Sequence, residues 1–138
     1  MPPIERIAIS LEGDLLKKFE ELSGTKGYTN RSEAVRDLIR EALVQEEWKA
    51  GAADITAIVT VVYNHEGMEL AQRLADVQHD NFKLIVSTMH VHMDEHLCLE
   101  VIVLRGGASK VKKLGESLIS IRGVVYGRMI PMTRGVGL

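Results

Sequence analysis

Between Ile4 and Leu11 the chain alternates, with Ile7, Ile9 and Leu11 on one side and Arg6, Ala8 and Ser10 on the other. That two-residue period predicts a half-buried strand. The period then changes. Leu15, Leu16, Phe19 and Leu22 recur at helical spacing and predict a helix over Asp14 to Ser23, closed by the glycines of Gly24-Thr25-Lys26-Gly27. A second helix follows at once: Asn30 is a good N-cap with Glu33 three residues on, and Ala34, Val35, Leu38, Ile39, Ala42 and Leu43 form its apolar stripe. The stripe turns polar at Gln45-Glu46-Glu47, and a domain boundary is expected near Lys49-Ala50-Gly51-Ala52-Ala53. The domains expected are thus residues 1–49 and 54–138.

The second segment reads as strand Ile55 to Tyr63, turn Asn64 to Gly67, helix Met68 to Gln78, strand Leu84 to His92, strand Leu97 to Arg105, helix Ser109 to Ser120 and strand Gly123 to Ile130. This βαββαβ order predicts an α+β fold, a four-stranded antiparallel sheet with two helices on one face, the ferredoxin-like arrangement. Its uncovered face is expected to be an interface. A single continuous domain is disfavoured, because the first half holds only a lone strand with unsatisfied backbone groups.

Composition narrows the class without deciding the function. At 138 residues and 46% apolar content the chain is long enough for one ordinary or two small domains. No basic leader precedes an apolar stretch, and no window approaches the roughly 18 apolar residues that would span a bilayer. One cysteine, Cys98, cannot form an intrachain disulfide, so a reducing, cytoplasmic setting is expected. The net charge is -2, and residues 1–50 carry fewer Lys and Arg than Asp and Glu. Nucleic-acid binding must therefore rest on where particular groups sit, not on bulk charge.

A strand-helix-helix unit this short buries too little apolar surface alone. Two copies pairing their Ile4–Leu11 strands would form an antiparallel ribbon with Arg6, Ala8 and Ser10 outward, a shape that enters a major groove. On Arg6-Ile7-Ala8-Ile9-Ser10-Leu11 and Gly27-Tyr28-Thr29-Asn30-Arg31-Ser32-Glu33-Ala34-Val35-Arg36, this half resembles the ribbon-helix-helix repressors. The resemblance implies that Arg6 and Ser10 contact bases of double-stranded DNA. It also implies that the start of the second helix, Asn30, Arg31 and Ser32, holds a phosphate. Ala8 departs from the polar residue usual there, leaving it at most a thymine methyl to touch.

In the second half His90 and His92 lie two apart in an apolar strand, so their imidazoles share a face. A five-residue connection, Met93 to Leu97, would place Cys98 opposite His92 on that same face. A fourth donor could come from His65, His79 or His96. The spacing His79, His90-Val91-His92, Cys98-Leu99-Glu100 is similar to that of the nickel-responsive regulators called NikR, whose sensor is an ACT-like domain, and this resemblance spans nearly the whole chain. It implies one Ni(2+) per chain, with His90, His92 and Cys98 from one subunit and His79 from its neighbour in a homotetramer built as a dimer of dimers. The tetramer would bind a palindromic operator and repress nickel-uptake genes. Glu100, on the face of Cys98, is expected to orient a ligand or anchor a helix. His65 is implied as an accessory metal ligand, and Glu33 and Asp37 as candidate ligands of a hard cation such as potassium.

Imidazole and thiolate donors suit borderline metals: four in a plane favour nickel(II) or copper(II), and a tetrahedron favours zinc. Two rivals remain at this level. One is a ribbon-helix-helix regulator answering to an amino acid or another metal. The other is a metal carrier or a thiol enzyme built on Cys98, disfavoured because no oxyanion donors or phosphate loop accompany it and the first half would lack a purpose.

Overall fold

The computed structural model describes residues 3–135, 137 and 138. They divide into two compact units between residues 41 and 42, inside a helix instead of at the glycine that follows it.

In the first unit α1 spans Gly13–Thr25 and α2 spans Arg31–Lys49, the last eight residues of α2 belonging to the second unit. The turn between them needs Gly27, whose φ of 81° is one that side chains rarely tolerate. Asn30 caps α2 as expected, its Oδ1 accepting the Glu33 N–H at 2.8 Å. The strand expected over Ile4–Leu11 is not formed within the single chain. The described residues before α1 make no backbone ladder, and Ile7 and Ile9 are 76% and 59% exposed. The reason is physical: a strand is defined by the partner it bonds to, and none lies near in sequence.

In the second unit β1 (Ile55–Asn64), α3 (Met68–Asp80), β2 (Ile85–His92), β3 (Leu97–Gly106), α4 (Ala108–Ile119) and β4 (Val124–Met132) follow the βαββαβ order, with ends within one or two residues of those expected. The sheet runs β2-β3-β1-β4, all pairs antiparallel. Pro131, which has no N–H to donate, sits on the edge strand β4. Alternation decides the faces. Ile55, Ala57, Val59, Val61 and Tyr63 of β1, with Cys98, Glu100, Ile102 and Leu104 of β3, point to the helix-covered side and are buried. There they meet Val111, Leu114 and Leu118 of α4 and Leu70 and Leu74 of α3. Each such aliphatic side chain contributes roughly 1.5–3 kcal/mol by leaving water. The other face keeps half-exposed apolar residues, among them Ile130, Met132 and Tyr126. Trp48, at the end of α2, also packs on this core, which is why the division falls before it.

Candidate metal centre

The β2–β3 hairpin builds the centre. His92 lies opposite Cys98 and His90 opposite Glu100, so five residues separate the paired His92 and Cys98 and the expected register is the one adopted. The connection is fixed by Asp94, whose Oδ1 accepts the N–H groups of His96 and Leu97, both at 2.7 Å. Those two bonds hold the Asp94 carboxyl below its ordinary range. Because alternate residues share a face, His90, His92 and Cys98 converge, their donor atoms all within 4.8 Å of one another. Two donors held about 2.0–2.3 Å from one ion lie at most about 4.6 Å apart, so this group is close enough together to converge on one metal. Cys98 is fully buried while both imidazoles are exposed, and Cys98 Sγ lies 3.6 Å from His92 Nδ1. The thiol thus supplies the inner wall and the imidazoles the mouth.

Behind the donors runs a polar chain. Thr88 Oγ1 donates to Gln78 Oε1 at 2.8 Å, Gln78 Nε2 donates to Glu100 Oε1 at 2.8 Å, and the Tyr63 hydroxyl donates to Glu100 Oε2 at 3.2 Å. The same hydroxyl lies 3.3 Å from His90 Nδ1. Burial, then the Glu100 charge, pushes the Tyr63 phenol far above its ordinary value, so it stays protonated. With its one proton given to Glu100, its oxygen is left to accept from His90 Nδ1–H. That tautomer frees Nε2 of His90 as the lone-pair donor. Glu100 thus both anchors α3, through Gln78, and orients His90 through Tyr63. Sequence reasoning named Glu100 but missed Tyr63, Gln78 and Thr88. The signal for Tyr63 was its parity on β1, which places it directly opposite Cys98.

His79, on the last turn of α3, is not among the grouped donors. It lines a groove with Gln78, Phe82, Ile85, His90 and Glu100, beside the cluster. His65 and His96 also remain outside the group. His65 stacks edge-on to His92 with centroids 6.1 Å apart and keeps a buried Nδ1 without a partner, while His96 Nδ1 lies 2.8 Å from Glu66 Oε1.

In the first unit Arg6, Ala8 and Ser10 are exposed on the segment before α1. Asn30 is committed to its cap and Arg31 to an ion pair with Glu20, while Ser32 is exposed at the start of α2. Glu33 faces Arg36 at 3.9 Å, and Asp37 accepts from the Tyr28 hydroxyl and from Arg40 at 3.1 Å. The Tyr28 bond, then Arg40, holds the Asp37 carboxyl below its usual range. Both carboxylates are therefore largely compensated by cations of their own helix. No helix among the described residues is long and apolar enough to cross a membrane.

Residues 56–132 match the family model of the NikR C-terminal nickel-binding domain, and residues 5–46 match that of ribbon-helix-helix proteins of the copG family. A protein of Anaeromyxobacter dehalogenans, provisionally named a nickel-responsive regulator, is 54% identical over 134 residues, covering 96% of each chain. One of Pyrococcus furiosus with the same provisional name is 46% identical over 132 residues, again covering 96% of each. An uncharacterized protein from Thermotoga maritima superposes with a TM-score of 0.52 at 17% identity, covering 58% of this chain and 99% of that one, a likeness of fold alone.

Proposed function

The chain belongs to the family of nickel-responsive regulators, and we propose that it is a cytosolic repressor that binds double-stranded DNA when it holds nickel and thereby shuts off nickel uptake. The observation that carries this reading is the convergence of His90, His92 and Cys98 on one face of the sheet, in a chain whose other half matches ribbon-helix-helix proteins. It is a binding protein and not an enzyme.

In this reading His90 Nε2, His92 and the Cys98 thiolate would hold one Ni(2+) per chain, and His79 of a second copy would complete a set of three nitrogens and one sulfur. Nickel(II) would supply a borderline Lewis acid, which imidazole and thiolate donors suit. Tyr63 and Glu100 hold His90 in its donor tautomer, and Gln78 ties the same carboxylate to α3, the helix that carries His79. Because the fourth donor lies on another chain, metal affinity and assembly are linked, and the donors favour whichever arrangement of copies brings them together. The assembly is a homotetramer, a dimer of dimers. Each dimer pairs two Ile4–Leu11 strands into a ribbon, so that Arg6 and Ser10 meet base edges, Ala8 meets at most a methyl group, and the Asn30–Ser32 backbone meets a phosphate. Two ribbons would address a palindromic operator.

The test is an absorbance titration of the reduced metal-free protein with nickel(II), beside Cys98→Ala and His79→Ala. A thiolate-to-metal band saturating at one equivalent per chain, lost in the first variant and weakened in the second, supports the site. A wild type without the band, or a band indifferent to Cys98, overturns it.

A further inference from the structure

The end of α2 is held on the second unit by several independent contacts. Trp48 packs on the core, the Ala52 N–H donates to Glu47 O at 3.1 Å, and the Ala108 N–H donates to Ala52 O at 2.9 Å. Gly51 makes this reversal possible with a φ of 69°. Asp54, the next residue but two, receives Arg105 through Nε and Nη2, both at 3.0 Å, and Arg134 through Nη1 at 2.9 Å. Thr133 Oγ1 lies 3.5 Å from Glu47 Oε1 as donor and accepts the Gly135 N–H at 3.1 Å. The segment after β4 therefore reaches back and touches both Glu47, in the last turn of α2, and Asp54, at the start of β1. This happens at the Ile55–Gly106 end of the β1–β3 pair, whereas the metal donors sit at its Tyr63–Cys98 end. Eight residues of antiparallel strand separate the two ends by about 27 Å.

We propose that Thr133–Gly135 is a C-terminal strap that fixes the last turn of α2 to the sheet through Arg134 on Asp54 and Thr133 on Glu47. The state of the donor cluster then reaches α2 along β1 and β3, through a held helix end and not a slack linker. A single exposed ion pair is worth little. Here one carboxylate takes three guanidinium N–H groups, two of them from Arg105 in a fork, and Arg134 adds its bond to a group already fixed. The strap also acts on residues that are ordered anyway by Trp48, so closing it orders few further groups. The coupling part of this inference rests on the function proposed above, and the strap itself does not.

The experiment compares the full-length wild type with Arg134→Gln, which leaves the Asp54–Arg105 fork and the metal donors intact. Amide hydrogen exchange is followed at Ala50, Gly51 and Ala52, with Val59, Val61 and Ile102 in the sheet as internal standards. The strap predicts exchange at the first three amides about two- to fivefold faster in the variant, the range of one exposed pair, with the sheet amides unchanged. Equal rates in both proteins, or acceleration spread evenly over sheet and linker, would overturn it. The same proteins are then assayed for DNA affinity with and without nickel(II). A smaller nickel-dependent gain in Arg134→Gln supports the coupling, and an undiminished gain overturns it. A wild type whose DNA affinity ignores nickel would overturn the regulator reading instead, while the exchange rates would still decide the strap.

Discussion

A phenol has one proton to give, and at Tyr63 that proton is committed to a buried carboxylate. Tyr63→Phe removes the acceptor for His90 Nδ1–H and leaves Glu100 with Gln78 alone. Loss of such an outer partner typically weakens metal binding about 10- to 100-fold, and a deleted hydrogen bond to a buried charged group costs about 1.5–3 kcal/mol. Chelator competition and urea unfolding of the metal-free protein measure the two effects, and an unchanged nickel affinity would show that the hydroxyl does not set the tautomer. Tyr63 also fixes an alkaline limit. Its folded pKa is raised above the ordinary value of 10.0, so its contribution is present below pH 10 and is lost as pH rises through the higher folded value. The stability of Tyr63→Phe should accordingly fall less between pH 9 and about 11 than that of the wild type. Of these residues only the donors and Glu100 could be read from spacing, because they lie on two neighbouring strands joined by a short turn. Tyr63, Gln78 and Thr88 enter from β1, from α3 and from the hairpin's own strand, and only the strand register and helix docking bring Tyr63 and Gln78 to one carboxylate and Thr88 to Gln78.

The elements themselves were largely legible because each carries its own period. The helices and strands of the second unit begin and end within one or two residues of expectation, since Gly and Asn punctuate them. What the pattern cannot encode is a partner outside the chain, and Ile4–Leu11 bears on this: its alternation is plain, yet it forms no ladder within the chain, and in the proposed reading a second copy would supply one. Nor does it show how near two elements pass. Gly127 on β4 lies under α4, where an added Cβ would meet Ile119 Cγ2 at 2.8 Å. Gly127→Ala should cost about 1–3 kcal/mol by overpacking, read as a lower urea midpoint with unchanged slope, and no shift would mean that α4 yields freely. At the start of β1, Arg105 foremost and Arg134 hold the Asp54 carboxyl down at about 2 from its ordinary value of 3.8. A depressed carboxylate contributes above its unfolded value and is lost as pH falls through the folded one. The ordering of residues 50–54 should therefore persist at pH 5 and fade between pH 4 and 2, followed by exchange or by Trp48 emission. Asp54→Asn should show no such acid step of its own.

At the scale of the whole molecule Ile7, Ile9 and Leu11 are an exposed apolar row, which the proposed ribbon would cover. Ile9→Glu places a charge where the paired strands would bury it, which should weaken DNA binding by at least about tenfold while leaving the nickel absorbance band per chain in place. A DNA-binding assay with the absorbance titration checks both, and an Ile9→Glu protein that binds DNA as the wild type does would mean that the ribbon is not what meets the DNA. The depth of Cys98 has a further consequence. A sulfur with no exposed surface can meet an alkylating reagent only after the groups that cover it, the imidazoles at the mouth among them, have moved aside, so the rate of iodoacetamide capture by the metal-free protein is a clock for the opening of that site. Its dependence on urea will tell whether the site opens by a local movement or only with the entire sheet.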